Sequence, residues 1–468
     1  MASTPSGSRS TRTRWWMILI STSLILIIGA VAFVALERAS GRRAYAAQVD
    51  ADRAAGRMTT VDEFVARAPA VDPAVQQAWD AWTHAVSASW TEPNYDQAGW
   101  DRWIVDVGPS PESIVRTVEE RRATMTPALD LLRQDGVILS AWGWAAIDLP
   151  PGRRGHADVE RLRSPNLLVL RDLGTWLAYA AVLAEDATGH LDDLARLQVA
   201  MGQPATLMDA MMEVAVASIR DRAYLELAVR GALPGDAAAR WLAEPSRALE
   251  RLAPAYAVDR ALFSSYGDYL SQSSPWGLHT YAASAYFDWS PWRTLQLWTF
   301  GPQERAENAA LQAHYAERLS GQRADAPVAT GRRTSLWDQS ASLQMCVITT
   351  LEADARQRMT RLAVEVLALA RRGGLPADHA ALLTALGTAR IQTPGDHLHL
   401  RYERLSAERF RLTVDPASPL PNFDDPSRMG ERTKAIGTPP ATAPMVSRTQ
   451  HALEVPVTGA AGDAVSAP

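Results

Sequence analysis

One cysteine and one lysine occur in 468 residues, and each scarcity removes a set of functions. Cys346 alone cannot close an intrachain disulfide, and no Cys-x-x-Cys redox or zinc motif is possible. Within Leu343-Gln344-Met345-Cys346-Val347-Ile348 it reads as a buried small hydrophobe rather than a reactive thiol. Lys434 is the only lysine and lies in the C-terminal tail, so no Gly-x-x-x-x-Gly-Lys-Ser/Thr phosphate loop exists. A Gly-x-Ser-x-Gly elbow and a His-Glu-x-x-His metal motif are missing as well. No cofactor is implied by any motif.

Charge is unevenly placed along the chain. Residues 1–43 hold Arg9, Arg12, Arg14, Arg38, Arg42 and Arg43 against Glu37, a balance of +5, while the whole chain is −5. The remaining residues therefore form an acidic body, which lacks the electrostatic footprint of a nucleic-acid binder. With 47% hydrophobic and 21% charged residues, the composition is that of a folded chain.

What the sequence does possess is a long apolar run. Trp15 to Leu36 carries no charge: WWMILISTSLILIIGAVAFVAL. As a helix it extends about 33 Å, enough to cross a hydrocarbon core. Trp15 and Trp16 stand at its start and arginines flank both ends, as membrane interfaces favour. The run is longer than a signal-peptide core, and the small-residue site Ala44-Tyr45-Ala46 lies beyond two arginines. The expectation is an uncleaved transmembrane helix that makes the lipid bilayer a partner through Trp15 to Leu36. Three arginines stand on each side, and the amino terminus and Glu37 tip the balance toward a cytoplasmic N-terminus. That orientation places the chain in the inner membrane, single-pass, with the soluble part outside the cytoplasm.

The expected order is a basic tail over 1–14, the transmembrane helix over 15–36, a helical stalk over 37–58 and an α-helical soluble domain over 59–395. A β-hairpin over 396–415 and a disordered Pro/Ala-rich tail over 416–468 complete it. The fold class is mainly α, with an antiparallel helical-hairpin body. Helix starts are written as Thr60-Val61-Asp62-Glu63, Asp72-Pro73, Ser110-Pro111 and Ser164-Pro165. Gly136, Gly189, Gly202, Gly231, Gly373-Gly374 and Gly387 mark stops, Gly235-Asp236 a restart, and Ser246 a further cap. Val75, Trp79, Trp82, Val86 and Trp90 recur at helical spacing and form a core stripe. A face of Leu167, Leu170, Leu173, Trp176, Leu177 and Ala180 follows, and the longest helix runs from about Ser335 to Arg372. Aromatics crowd residues 263–300, among them Tyr266, Trp276, Trp289, Trp298 and Phe300, a segment suited to a packed irregular core or a binding surface.

The period changes near the C-terminus. Leu398, Leu400 and Tyr402 alternate with His397, His399 and Arg401, and Phe410, Leu412 and Val414 alternate with Arg409, Arg411 and Thr413. Alternation of this kind is a two-stranded hairpin with one apolar face.

Candidate chemistry is sparse. His397 and His399 point to one side of a strand beside Asp396 and are the only metal-like pair, although the neighbouring arginines disfavour a cation. Glu119-Glu120 and Asp192-Asp193 are adjacent on helices, point apart and read as solvated surface. Asp424-Asp425 is a candidate calcium site in a Pro-rich segment. His84, His190, His279 and His314 have no recognisable acid, base or nucleophile nearby in sequence.

The stretch Arg358, Arg361-Leu362-Ala363, Leu369-Ala370-Arg371-Arg372-Gly373-Gly374-Leu375-Pro376, Leu382, Pro394 and Leu400-Arg401-Tyr402 reads as helix, Gly-x-Pro bend, short helix and strand. It resembles the C-terminal module of a group of uncharacterised membrane-anchored bacterial proteins with α-helical bodies, and distantly the heads of pseudopilins. The resemblance covers about a tenth of the chain, and its motifs are loose. A pseudopilin leader ending before Phe-Thr-Leu-x-Glu is lacking. The resemblance implies an anchored helical body and brings no catalytic residues. Three functions follow as expectations: a non-enzymatic binding or scaffolding component of the bacterial cell envelope with an envelope protein partner, an envelope hydrolase whose site is scattered in sequence, or a pseudopilin-like secretion component.

Overall fold

The computed structural model describes residues 8–57, 71–88, 112–134, 137–140, 167–201, 206–244, 340–387, 399–414 and 452–457. It also describes scattered positions between 59 and 66, at 252 and 255, and between 294 and 310. The described chain is mainly helical, with a small antiparallel sheet and one long apolar N-terminal helix. It divides into two units, Met1–Thr60 with Arg260–Asp338, and Val61–Asp259 with Gln339–Pro468.

In the first unit, α1 (Ser8–Ala54) is one unbroken helix of 47 residues. Nothing between Trp15 and Ala54 breaks it, so the apolar run and the expected stalk share an axis. It ends where Gly56 takes φ +70°, with the Gly56 N–H donating to the Arg53 carbonyl at 2.9 Å. The helix is long and apolar enough to cross a membrane, and Trp15, Trp16, Ile20, Leu24, Ile28, Phe33 and Leu36 are among its exposed side chains. Further along, the Phe33 ring meets Phe300 edge-on at 6.3 Å, and Arg38 lies over the Trp298 ring at 4.0 Å.

The second unit begins with α2 (Pro73–Ala88) and α3 (Glu112–Leu132). Asp72 accepts the Ala74 N–H at 2.8 Å, which fits the Asp-Pro start. Trp79, Trp82 and Val86 are buried as the stripe requires, and the Trp82 indole N–H donates to the Thr124 carbonyl at 3.0 Å. Trp90 lies outside the described residues, as do Thr60, Gly136, Gly202 and Ser246. Next come α4 (Leu167–Leu183), α5 (Thr188–Ala200), α6 (Leu207–Arg230) and α7 (Gly235–Ala243). Gly189 is no stop. The helix before it ends at Leu183, and Asp186 accepts the Thr188 N–H at 2.9 Å, which starts α5 ahead of the glycine. By contrast Gly231 closes α6 in the left-handed region at φ +76°, where a side chain is strained.

Helix α6 opens with a reciprocal capping box between Thr206 and Asp209 and packs on both α4 and α8 (Ser340–Gly373). Because neighbours cover it on both, most of its length is buried, charges included. The short α9 (His379–Leu386) follows Gly374 at φ +89° and is capped by the Asp378 side chain at 2.8 Å.

The hairpin forms from β1 (Leu400–Arg404) and β2 (Arg409–Val414), with Leu400, Tyr402, Phe410 and Leu412 all buried. The sheet has three strands, not two. β3 (Ala452–Pro456) comes from the 416–468 tail expected to be disordered and pairs antiparallel with β2, Phe410 against Val455 and Leu412 against Leu453. The reason is visible in the register: a hairpin with one apolar face leaves an open edge, and the Leu453-Glu454-Val455 alternation matches that face. Arg411 on the other face reaches Glu454 at 2.9 Å.

Val455 is 1% exposed against Phe410. Val455→Asp should therefore lower stability by on the order of 3 kcal/mol through an unpaired buried charge. Urea unfolding in detergent measures this, and an unchanged midpoint would remove β3 from the fold.

Candidate functional site

Charge inside an otherwise apolar helix defines the site. The α6 sequence LMDAMMEVAVASIRDRAYLELAVR buries Asp209, Glu213, Arg220, Asp221 and Glu226 among its aliphatic residues. Arg220 and Asp221 sit where α6 meets the end of α7 and the middle of α8. They border a recess of about 340 Å³ that also takes in Gln198 of α5, Glu244, and Gln357 and Arg361 of α8. Its size is that of a small-ligand pocket.

Arg220, Asp221, Glu244 and Arg361 each have a partner from another part of the chain. Arg220 forks onto the Glu244 carboxylate, one arm at 3.3 Å and the other closer. Its side chain is only 3% exposed. Arg361 donates to the Glu244 carbonyl and lies 5.5 Å from the centre of the Trp241 ring. Trp241 is fully buried, stacks on Tyr224 at 4.6 Å and donates its indole N–H to Asp221 at 2.8 Å. Gln357 also donates to Asp221. Two guanidiniums and two carboxylates thus meet in one place, held by an aromatic stack.

Burial sets the protonation states. The Asp221 carboxyl is pushed up to about 6, desolvation outweighing Arg220, Arg361 and the Trp241 and Gln357 hydrogen bonds. Burial likewise pushes the Tyr224 hydroxyl up to about 12, so it stays protonated at neutral pH and is no base. Burial lowers Arg361 from its usual value, but an arginine remains charged across the physiological range. Ser218 at the rim donates to the Val214 carbonyl at 2.8 Å and has no histidine beside it among the described residues. The recess is therefore a charged concavity with one carboxyl raised to about 6, and among the described residues its one hydroxyl, that of Ser218, is engaged by backbone.

The residues singled out in the sequence lie elsewhere. His399 is half-buried at the start of β1, and His397 lies outside the described residues, as do His279, His314 and Asp424-Asp425. Among the described residues no group of three His, Cys, Asp or Glu side chains could hold a metal. His84 is exposed and its ring nitrogen lies 3.0 Å from the Asp80 carbonyl. His190 is set edge-on against Trp176 at 6.2 Å and is kept neutral more strongly than usual by burial. Cys346 is half-buried rather than buried, because its helix is less covered there than the apolar run implies.

Glu119 and Glu120 are exposed as expected. Asp193 is a correction: it is 1% exposed and takes a forked pair from Arg133 at 3.0 and 2.6 Å. The two neighbours do point apart, which turns Asp193 inward and leaves Asp192 half-buried with Arg240 at 2.7 Å. Of the aromatic segment 263–300, only Thr294, Leu295 and residues 298–300 are described.

Arg220, Asp221, Glu244, Gln357 and Arg361 were not legible as a group. The one available signal was α6 itself, where a helix apolar all round must carry its charges inside. The chain matches no protein-family model, none of the curated proteins compared with it and no solved structure.

The sign of the pH effect is fixed by Asp221. Its folded-state value near 6 exceeds the unfolded value of 3.8, so the folded form holds the proton longer and stability falls as pH rises between them. Asp221→Asn removes that fall. The stability advantage of the variant should grow from pH 4 to pH 6 and stay level above it, reaching on the order of 3 kcal/mol at ~1.4 kcal/mol per pKa unit. Urea unfolding of both proteins at each pH measures the difference, and a flat difference would place Asp221 in water.

Proposed function

We propose that this chain is a non-enzymatic binding component of the bacterial cell envelope, tethered by α1 and using the α6–α8 recess to hold a small polar ligand or one charged side chain of a partner. The recess carries this reading. Arg220, Arg361, Asp221 and Glu244 offer donors and acceptors of both signs in a space too small for more than a side chain or small molecule. The residues around it are arranged for recognition, with each charge fixed by a partner before any ligand arrives, so little ordering is left to oppose binding. Trp15 to Leu36 crosses the inner membrane once, with the amino terminus cytoplasmic and the second unit outside.

A second reading rests on one observation. A buried carboxyl titrating near 6 inside a polar recess suits a general acid of an envelope hydrolase. Chromogenic ester, amide and glycoside probes separate the two. Hydrolysis lost in Asp221→Asn favours the enzyme.

Ala217 lines the recess from α6 and is half-buried, so Ala217→Trp fills the space while sparing every ion pair. In-cell crosslinking followed by detergent pull-down should lose its partner at least tenfold in this variant, with the melting curve shifted by only a few degrees. Full retention of the partner at unchanged yield would sink the recess as its receptor. A reporter fused after residue 468 should be active only outside the cytoplasm, and activity inside would reverse the orientation.

A further inference from the structure

Three contacts inside the first unit clip a short segment to α1 at a defined height. The Phe300 ring meets Phe33 at 6.3 Å. Arg38 lies 4.0 Å from the centre of the Trp298 ring and donates to the Trp298 carbonyl. At Gly41 the helix touches backbone directly, for a Cβ there would collide with Pro302 and Gln303. Residues 298–303 are helical, and the Thr299 hydroxyl donates to the Leu295 carbonyl at 2.7 Å, which sets Leu295 one turn earlier.

These heights are fixed by the rise of α1. At about 1.5 Å per residue, Phe33 lies about 4–5 Å inside the end of the apolar run at Leu36, while Arg38 lies about 3 Å beyond it and Gly41 about 7–8 Å beyond. The headgroup layer on each face of a bilayer is about 5–8 Å deep. If Trp15 to Leu36 fills the hydrocarbon, these heights set Phe300 and Trp298 at the boundary between the acyl chains and that layer.

We propose that Leu295 and residues 298–300 belong to a second membrane-contacting element, lying at the interfacial layer of the bilayer beside α1. This rests on the reading that α1 crosses the membrane. The side chains suit the place. Leu295 is 43% exposed and Trp298 and Phe300 are half-buried, so apolar surface remains for the lipid. An indole with an arginine across its ring is the combination that the boundary between acyl chains and headgroups favours. Arg43 stands exposed about 10–11 Å beyond Leu36 along α1, from where its long side chain can reach back to lipid phosphates. The contact gives the anchor a foot: a lone helix rotates freely about its axis, whereas a helix with a lateral interfacial arm presents one fixed face.

The test uses the full chain in proteoliposomes of phosphatidylcholine and phosphatidylglycerol. In a Cys346→Ala background, Leu295→Cys and, separately, Ile25→Cys carry an environment-sensitive fluorophore. Quenching is compared between lipids with a nitroxide on the headgroup and lipids with one deep in the acyl chain. The Leu295 position should lose at least half its fluorescence to the headgroup quencher and little to the deep one, and Ile25 the reverse. Quenching at Ile25 with none at Leu295 overturns the interfacial element while leaving the anchor. No quenching at Ile25 removes the anchor, and this inference with it.

Discussion

The second unit depends on charge neutralised inside helix α6. Covered by α4 and by α8, that helix cannot expose Arg220, Asp221 or Glu226 to water, and an unpaired charge in such a place costs several kcal/mol. Each is answered. Arg220 has Glu244, Asp221 has the Trp241 indole and Gln357, and Glu226 has Arg230 one turn on at 2.6 Å. The Glu226 carboxyl is nevertheless raised by burial, which shows how dry the helix is.

These ties also decide which helices meet. Trp241 on α7 and Gln357 on α8 converge on one carboxyl of α6, and Arg361 on α8 takes the carbonyl of Glu244 just past α7. Arg371, further along α8, donates to the Ala228 carbonyl and reaches Val229 at 3.4 Å, covering the last turn of α6. Cations at a helix C-terminus answer its unpaired carbonyls and its dipole. Apolar contact alone permits a helix to slide or rotate by a turn. Directional bonds at Asp221 and at the last turn of α6 allow one register, and the recess opens beside the first of them, toward the start of α6.

The two candidate roles of this chain draw on different physics. Within the first unit, a helix long and apolar enough to cross a membrane leaves most of its large side chains exposed, and its neighbours are aromatic and small: Phe300, Trp298 and a glycine contact. Within the second unit, the distinctive surface is polar and concave. The proposed tether and the proposed recognition site therefore rest on separate parts of the chain.

Local signals carried much of the architecture. The Trp79–Trp82–Val86 stripe, the Asp72-Pro73 start, the glycines at 231, 374 and 387, and the alternation through Tyr402 and Phe410 were all readable, because each depends on residues within a turn or two of one another. Gly189 misled for the converse reason, since a nearby Asp186 bond outweighed it. Partners distant in sequence left no trace. Arg133 finds Asp193 across 60 residues, Arg361 finds Glu244 across 117, and β3 finds β2 across the whole tail. The sequence by itself determined the long apolar helix, the helical body and most of the helix ends, since backbone propensity and periodicity act over short range. Tertiary structure alone decided which charges are buried, what answers them and where the recess lies, because desolvation depends on what the folded chain brings alongside.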